Sequence, residues 1–138
     1  MAGPTRVLLV DDYADALEMW AFYLRYCGYE VETASDGHQA LTLAMTSRPD
    51  VAILDVDLPG LSGIDVAKRL RADPVTSGIG LIAATGHSHV VQRHPEAEGL
   101  FHSILVKPCE PAVLLEEIQR ITGRRAADQT AAPAMPVE

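Results

Sequence analysis

Residues 51–60 read VAILDVDLPG, and this short stretch decides how the rest of the chain is interpreted. Four apolar residues are followed at once by two carboxylates, Asp55 and Asp57, and then by Pro59 and Gly60. The apolar run predicts a buried β-strand, and the proline and glycine predict a turn directly after it. One acid at such a tip is often a helix cap, but two acids suggest a site for a metal ion or a phosphoryl group.

The size and composition of the chain exclude several classes of function. The chain has 138 residues, 48% of them hydrophobic, and a formal net charge of −8 at pH 7. These values predict one globular domain, and the acidity argues against a surface that binds nucleic acid. No apolar run is long enough to span a bilayer, the first residues lack the apolar segment of a signal peptide, and the two cysteines match no metal-binding spacing. We therefore expect a cytoplasmic protein with reduced thiols and no membrane contact.

Strand-like and helix-like segments alternate along the chain. The predicted strands cover residues 6–10, 30–34, 51–55, 79–85 and 103–107. The predicted helices cover residues 16–27, 36–47, 63–72, 90–98 and 110–122. Asp15 is predicted to cap the first helix, and the residues after 122 are predicted to form a disordered tail. Apolar strands that alternate with helices predict a parallel sheet with helices on both faces.

Chemically reactive side chains stand at the ends of four predicted strands. Ligands of an open parallel sheet bind beyond the carboxyl ends of its strands, where the strand order reverses. The ends carry Asp11 and Asp12 on the first strand, Asp55 on the third, Thr85 on the fourth and Lys107 on the fifth. Three neighbouring carboxylates need a cation, and hard oxygen ligands suit Mg²⁺. A carboxylate can also attack phosphorus, so the set predicts an aspartyl-phosphate.

Each feature alone has a more ordinary interpretation. A pair of aspartates after a strand is often only a loop with a helix cap, and a threonine at a strand end is usually only a β-branched residue. His87 and His89 match no zinc spacing and are interpreted as solvated, although His87 is close enough to the predicted crevice to restrict the water that hydrolyses a phosphoryl group. The joint occurrence of suitable side chains at four strand ends favours the functional interpretation.

The chain resembles the receiver domain of two-component response regulators over residues 5–122, with residues 123–138 as the tail. Four motifs carry the resemblance: LLVDD at 8–12, ILDVDLPGLSG at 53–63, AATG at 83–86 and LVKP at 105–108. It implies a flavodoxin-like, doubly wound sheet of five parallel strands in the order 2-1-3-4-5, with five helices. It also implies a bacterial phosphorelay protein that is a phospho-acceptor and not an enzyme.

The resemblance further implies how the phosphoryl group is held. Asp55 would accept the group, and Thr85 and Lys107 would bind it, with a cis peptide before Pro108 helping to aim the lysine. The family usually carries tyrosine or phenylalanine, as a rotamer switch, at the position of Ile104. An aliphatic side chain cannot make the same movement of a ring, so we expect backbone shifts to transmit the signal instead.

The resemblance also implies the ligands of Mg²⁺. Asp12 would be the main carboxylate, and Asp11 would assist directly or through water. Asp55 and the main-chain carbonyl of Asp57 would complete the protein ligands. The implied phosphoryl donor is a histidine kinase or a histidine phosphotransfer protein, and the implied recipient of the signal is a downstream protein target. Because too few residues follow 122 to form an output domain, we expect a receiver that stands alone, unless the chain is part of a longer protein.

Two other functions remain as alternatives. The first is a haloacid-dehalogenase-like phosphohydrolase, which also forms an aspartyl-phosphate and would use Asp57 as general acid. Leu58-Pro59 after this aspartate and the acidic pair on the first strand do not fit that class. The second is a receiver-like domain that binds partners without phosphate, against which the complete acidic set argues.

Overall fold

The computed structural model describes residues 3–86 and 90–123, without the side chains of Val90 and Val91. Five strands form one sheet in the order β2-β1-β3-β4-β5, and every neighbouring pair is parallel. The strands are β1 (Arg6–Val10), β2 (Glu30–Ala34), β3 (Val51–Asp55), β4 (Gly80–Thr85) and β5 (Ser103–Val106). The predicted strand order is therefore confirmed. The predicted roles of His87 and His89, and the predicted tail beyond Gly123, lie outside the described residues.

Helices cover both faces of the sheet. In chain order they are α1 (Ala14–Tyr26), α2 (Gly37–Ser47), α3 (Gly63–Ala72), the single turn α4 (Val90–Arg93) and α5 (Pro111–Thr122). A 3-10 turn at Pro95–Ala97 follows α4. The described residues thus contain four full helices, one α-helical turn and one 3-10 turn, so the prediction of five helices is wrong.

Pro95 explains why the predicted helix over residues 90–98 is broken. Proline lacks an N–H group and disfavours helical backbone in the residue before it. His94 accordingly has φ −136° and ψ 76°, and Pro95 instead begins the 3-10 turn. Gly99 then takes a positive φ of 88°, which turns the chain toward β5.

The start of α1 also differs from the prediction. Tyr13 is its N-cap and makes no side-chain capping bond, while Asp15 lies inside the first turn. The main-chain N–H of Tyr13 instead donates to Asp11 Oδ1 at 2.9 Å. The predicted cap by Asp15 is therefore wrong, and the Asp15 carboxylate lies where the helix dipole favours an anion.

The core has one layer on each face of the sheet. On one face Leu24 of α1, Ile53 of β3 and Ile118 of α5 pack together, each buried. On the other face Leu54 of β3 packs with Leu70 of α3, among the buried residues of α2 and α3. Burial of each such side chain contributes roughly 2 kcal/mol, so the sheet is a rigid support for groups at its edges. Among the described helices, none combines the length and apolar character that crossing a bilayer requires.

Candidate functional site

The carboxyl edge of the sheet gathers the side chains that the sequence singled out. Asp55 ends β3 and Thr85 ends β4, while Asp11 and Lys107 each directly follow a strand. The pairing of Asp55 with Ala84, and of Thr85 with Val106, brings these ends to one level. Rigid, buried strands thus fix the positions from which the reactive groups project.

Three carboxylates form an acidic cluster at this edge. Oxygen atoms of Asp11, Asp12 and Asp55 all lie within 4.8 Å of one another. Asp11 and Asp55 are 8% and 7% exposed, whereas Asp12 is exposed to solvent. Like charges at this separation repel, and their oxygen atoms are the ligand type that Mg²⁺ prefers. The residues present therefore fit a magnesium ion.

Lys107 is the cation of the cluster. Its Nζ lies 2.6 Å from Asp11 Oδ2 and 3.3 Å from Asp55 Oδ2. Its main-chain N–H donates to the carbonyl of Thr85 at 2.7 Å, and the predicted cis peptide between Lys107 and Pro108 is confirmed. The loop after β5 is thereby fixed to the end of β4, with the ammonium directed at the carboxylates.

Burial and charge shift the pKa values of Asp55 and Lys107. Burial raises the pKa of Asp55, and the hydrogen bond from Asp57 N–H and the charge of Lys107 offset only part of that rise. Burial lowers the pKa of Lys107, but the hydrogen bond to Asp11 and the charge of Asp55 outweigh it, so the pKa of Lys107 is raised. The lysine therefore remains an ammonium, and an added cation would make the ionised form of Asp55 less costly.

The turn after β3 orients the carboxylate of Asp55. The main-chain N–H of Asp57 donates to Asp55 Oδ1 at 3.0 Å, while Lys107 approaches Oδ2. The side chain of Asp57 is exposed, and that of Thr85 is buried. The two oxygen atoms of Asp55 thus have different partners, which holds the group in one orientation.

Gly63 packs directly behind the main chain of Asp55, a contact that the sequence did not predict. A Cβ atom at Gly63 would lie 2.2 Å from the main-chain oxygen of Asp55. Gly63 N–H donates to the carbonyl of Val56 at 3.1 Å, and Ser62 and Asp65 form a capping box around the start of α3. The Ser62-x-x-Asp65 pattern is the sequence signal that locates this helix start.

Two further contacts were not predicted. The shortest ion pair of Lys107 is to Asp11, although the sequence suggested Asp11 only as an assisting metal ligand. Ile104, at the position where an aromatic residue was expected, packs against a buried cluster that includes Val56 and Ala83. Neither contact has a signal in the local sequence, because each depends on how distant strands are aligned.

The chain is similar to several characterised proteins. The family described as the response regulator receiver domain matches residues 7–119. The DNA-binding response regulator MtrA of Mycolicibacterium paratuberculosis is 37% identical over 126 residues, which are 91% of this chain and 54% of that protein. The chain thus spans about half the length of the curated relatives it matches.

Solved structures of response regulators are also similar to this chain. The chemotaxis response regulator CheY4 of Vibrio cholerae has a TM-score of 0.79 and 33% identity, and the alignment covers 86% of this chain and 99% of CheY4. The response regulator TrrA of Thermotoga maritima, solved in complex with Mg(2+)-BeF, has a TM-score of 0.76 and 29% identity, with 85% of this chain and 98% of TrrA covered. The chain therefore belongs to the response regulator receiver domain family of two-component signalling proteins.

Proposed function

We propose that Asp55 of this receiver domain accepts a phosphoryl group from a phospho-histidine in a reaction that requires Mg²⁺. The observation that carries the proposal is the position of the Asp55 carboxylate. It lies at the tip of a rigid strand, between the main-chain N–H of Asp57 and the ammonium of Lys107, and beside two further carboxylates. A nucleophile for in-line attack on phosphorus needs this kind of fixed position.

The proposed step breaks one bond and forms one. A carboxylate oxygen of Asp55 attacks the phosphorus atom, and the bond between phosphorus and the imidazole nitrogen of the donor breaks. The electron pair of that bond remains on the imidazole, which then takes up a proton from solvent. Lys107 and the Thr85 hydroxyl would bind the phosphoryl oxygens as the group is transferred.

The acidic cluster is the proposed magnesium site. Asp12 and Asp55 would be direct ligands together with the main-chain carbonyl of Asp57, and Asp11 would assist while remaining paired with Lys107. When bound, Mg²⁺ would neutralise the carboxylates and the phosphoryl oxygens. The exposed position of Asp12 supports its role, because an ion that keeps several waters needs a solvent-facing ligand.

The proposed partners follow from this chemistry. A histidine kinase or a histidine phosphotransfer protein in the cytoplasm would supply the phosphoryl group, and the phosphorylated domain would dock a downstream protein or pass the group onward. The match covers only 54% of the relative named as DNA-binding, so we do not extend DNA binding to these residues.

The first prediction tests the acceptor. After incubation with acetyl phosphate and Mg²⁺, intact-protein mass spectrometry should show one added phosphoryl group, and chelation of Mg²⁺ should abolish it. Asp55→Asn should show none. Asp57→Asn is the matched control, because it keeps the main-chain N–H and carbonyl, and it should be labelled. Full labelling of Asp55→Asn would contradict the proposal.

A turnover assay separates this function from the phosphohydrolase alternative. A receiver domain should form the phosphoprotein once and release phosphate slowly from it. With a generic phosphate ester as substrate, multiple turnovers that are lost in Asp57→Asn would instead support a hydrolase in which Asp57 is the general acid.

A further inference from the structure

A cavity of about 360 Å³ lies beside the acidic cluster, between α1 and the loop that follows β5. Its lining includes Leu17 and Trp20 of α1, Ala84 of β4, and Pro108 and Cys109 of the loop. Leu17 and Trp20 are only partly buried, although both pack against the core. The cavity is partly open to solvent, and the small side chains of Ala84 and Cys109 leave room for it between α1 and the loop.

The charged groups of the cavity are satisfied within the protein. Among the described residues, Asp11 and Lys107 are the charged residues that line it. Asp11 Oδ2 pairs with Lys107 at 2.6 Å, and Asp11 Oδ1 accepts the main-chain N–H of Tyr13 at 2.9 Å. An ionic ligand of the cavity would therefore lose its hydration and would have to displace one of these existing bonds, which is costly. The cavity selects for an uncharged occupant.

We propose that this cavity binds a small uncharged molecule with an apolar ring, of about the size of a substituted benzene. An apolar cavity of roughly 150 Å³ holds benzene in another protein, so the space is sufficient. Apolar pockets with a few polar groups at one end are the usual form of small-molecule sites. This binding does not depend on the proposed phosphorylation, but the ligand would contact the loop that carries Lys107.

Trp20 provides a direct NMR probe of ligand binding in the cavity, because it is the only tryptophan of the chain. Titration of the isotope-labelled protein with p-xylene should shift the NMR signal of the Trp20 indole N–H in a saturable manner. Benzylamine and benzoate, each of which adds one charge to a single ring, should bind at least tenfold more weakly. The absence of a saturable shift with p-xylene, or equal or tighter binding of either charged compound, would overturn the proposal.

Two variants locate the binding. Ala16→Leu, on the α1 side of the lining, should fill the cavity and abolish the shift. Ala72→Leu makes the same change at an exposed position at the end of α3 and should bind p-xylene as the parent does. If Ala16→Leu does not give the dispersed spectrum of a folded protein, Cys109→Leu fills the cavity from the opposite side and takes its place. Undiminished binding in the folded, cavity-filling variant would refute the site.

Discussion

Single residues at the carboxyl edge of the sheet carry the proposed chemistry, and their types were predictable from the sequence. Asp55, Thr85 and Lys107 each follow an apolar run, and the parallel sheet then requires their ends to meet. The contact partners were less predictable. The pairing of Lys107 with Asp11 joins residues 96 positions apart, and its 2.6 Å distance depends on the registers of β1, β3, β4 and β5 together. Local spacing holds no information about such an alignment.

Gly63 is the residue for which a minimal change has the clearest predicted effect. Gly63→Ala would place a methyl group 2.2 Å from the main-chain oxygen of Asp55, so the strand tip or the start of α3 must shift. We expect a loss of roughly 1–3 kcal/mol in the free energy of unfolding, together with slower labelling of Asp55. Urea unfolding and the mass assay with acetyl phosphate measure the two effects.

Gly78→Ala is the matched control for this change. A Cβ atom at Gly78 would meet no atom within 4 Å, and its φ is not in the left-handed region. It should leave labelling unchanged and alter stability by less than about 1 kcal/mol. If Gly63→Ala were as stable and as readily labelled as Gly78→Ala, the supporting role of Gly63 would be wrong.

At the scale of elements, the sequence predicted each strand and all four full helices to within about two residues. The errors arose where one residue overrides a pattern. Pro95 breaks the apolar pattern over residues 90–98, and α1 starts before the predicted cap at Asp15, with the main-chain N–H of its N-cap Tyr13 bonded to the carboxylate of Asp11. Apolar periodicity records which face is buried, but it does not record where the backbone hydrogen bonds begin or end.

His102 joins β4 to the start of β5 through its main chain and its ring. Its N–H donates to the carbonyl of Leu81 at 2.7 Å, and its Nδ1 accepts the N–H of Leu81 at 3.1 Å. Arg71 of α3 donates to the same nitrogen at 3.3 Å and also to the carbonyls of Ile79 and Leu100. The ring must be unprotonated at Nδ1 to accept these bonds.

This arrangement predicts a pH dependence of stability. Burial lowers the pKa of His102, and the charges of Arg71 and Arg120 lower it further, more than the bond from Leu81 raises it. Because the pKa of His102 is lower in the folded state than in the unfolded state, neutral His102 contributes its full stabilisation of the fold above the unfolded pKa of about 6.5. This contribution to the free energy of unfolding is lost as the pH falls through the lower pKa of His102 in the folded state. Urea unfolding from pH 7.5 to pH 5 should show this loss.

His102→Asn tests the assignment, because the Asn side-chain oxygen can accept the Leu81 N–H without titrating in this range. Its stability should fall less steeply between pH 7.5 and pH 5 than that of the parent. His38→Asn, at an exposed position of α2, controls for the loss of a histidine elsewhere. An identical pH dependence in His102→Asn and the parent would show that His102 does not cause it.

At the scale of the whole molecule, the proposed phosphorylation must be transmitted without an aromatic ring at position 104. Ile104 packs against a buried cluster that contains Ala97 of the 3-10 turn and Val56, which directly follows Asp55. β5 is a four-residue edge strand that is only half-buried, so it can move at lower cost than the central strands. This cluster thus offers a route by which a change at Asp55 can reach Ile104 and the region before β5.

We therefore expect the addition of beryllofluoride and Mg²⁺, which mimic the phosphorylated state, to shift amide NMR signals in residues 90–98, β5 and α5. A shift of the population toward a second state requires a ligand that binds that state more tightly. Asp55→Asn should show no such change under the same conditions. Signal changes confined to the acidic cluster and its immediate neighbours would mean that this chain has no second state of this kind.

β1 precedes both of its partner strands in the sequence, yet it lies between them in the sheet. Its two partners are β2 and β3, so its hydrogen-bonding groups are not all paired until residue 55 has left the ribosome. During that interval an apolar strand with open edges can pair with the strands of other chains. The strand that ends in Asp55 therefore also covers the second edge of β1 and removes that opportunity for pairing between chains.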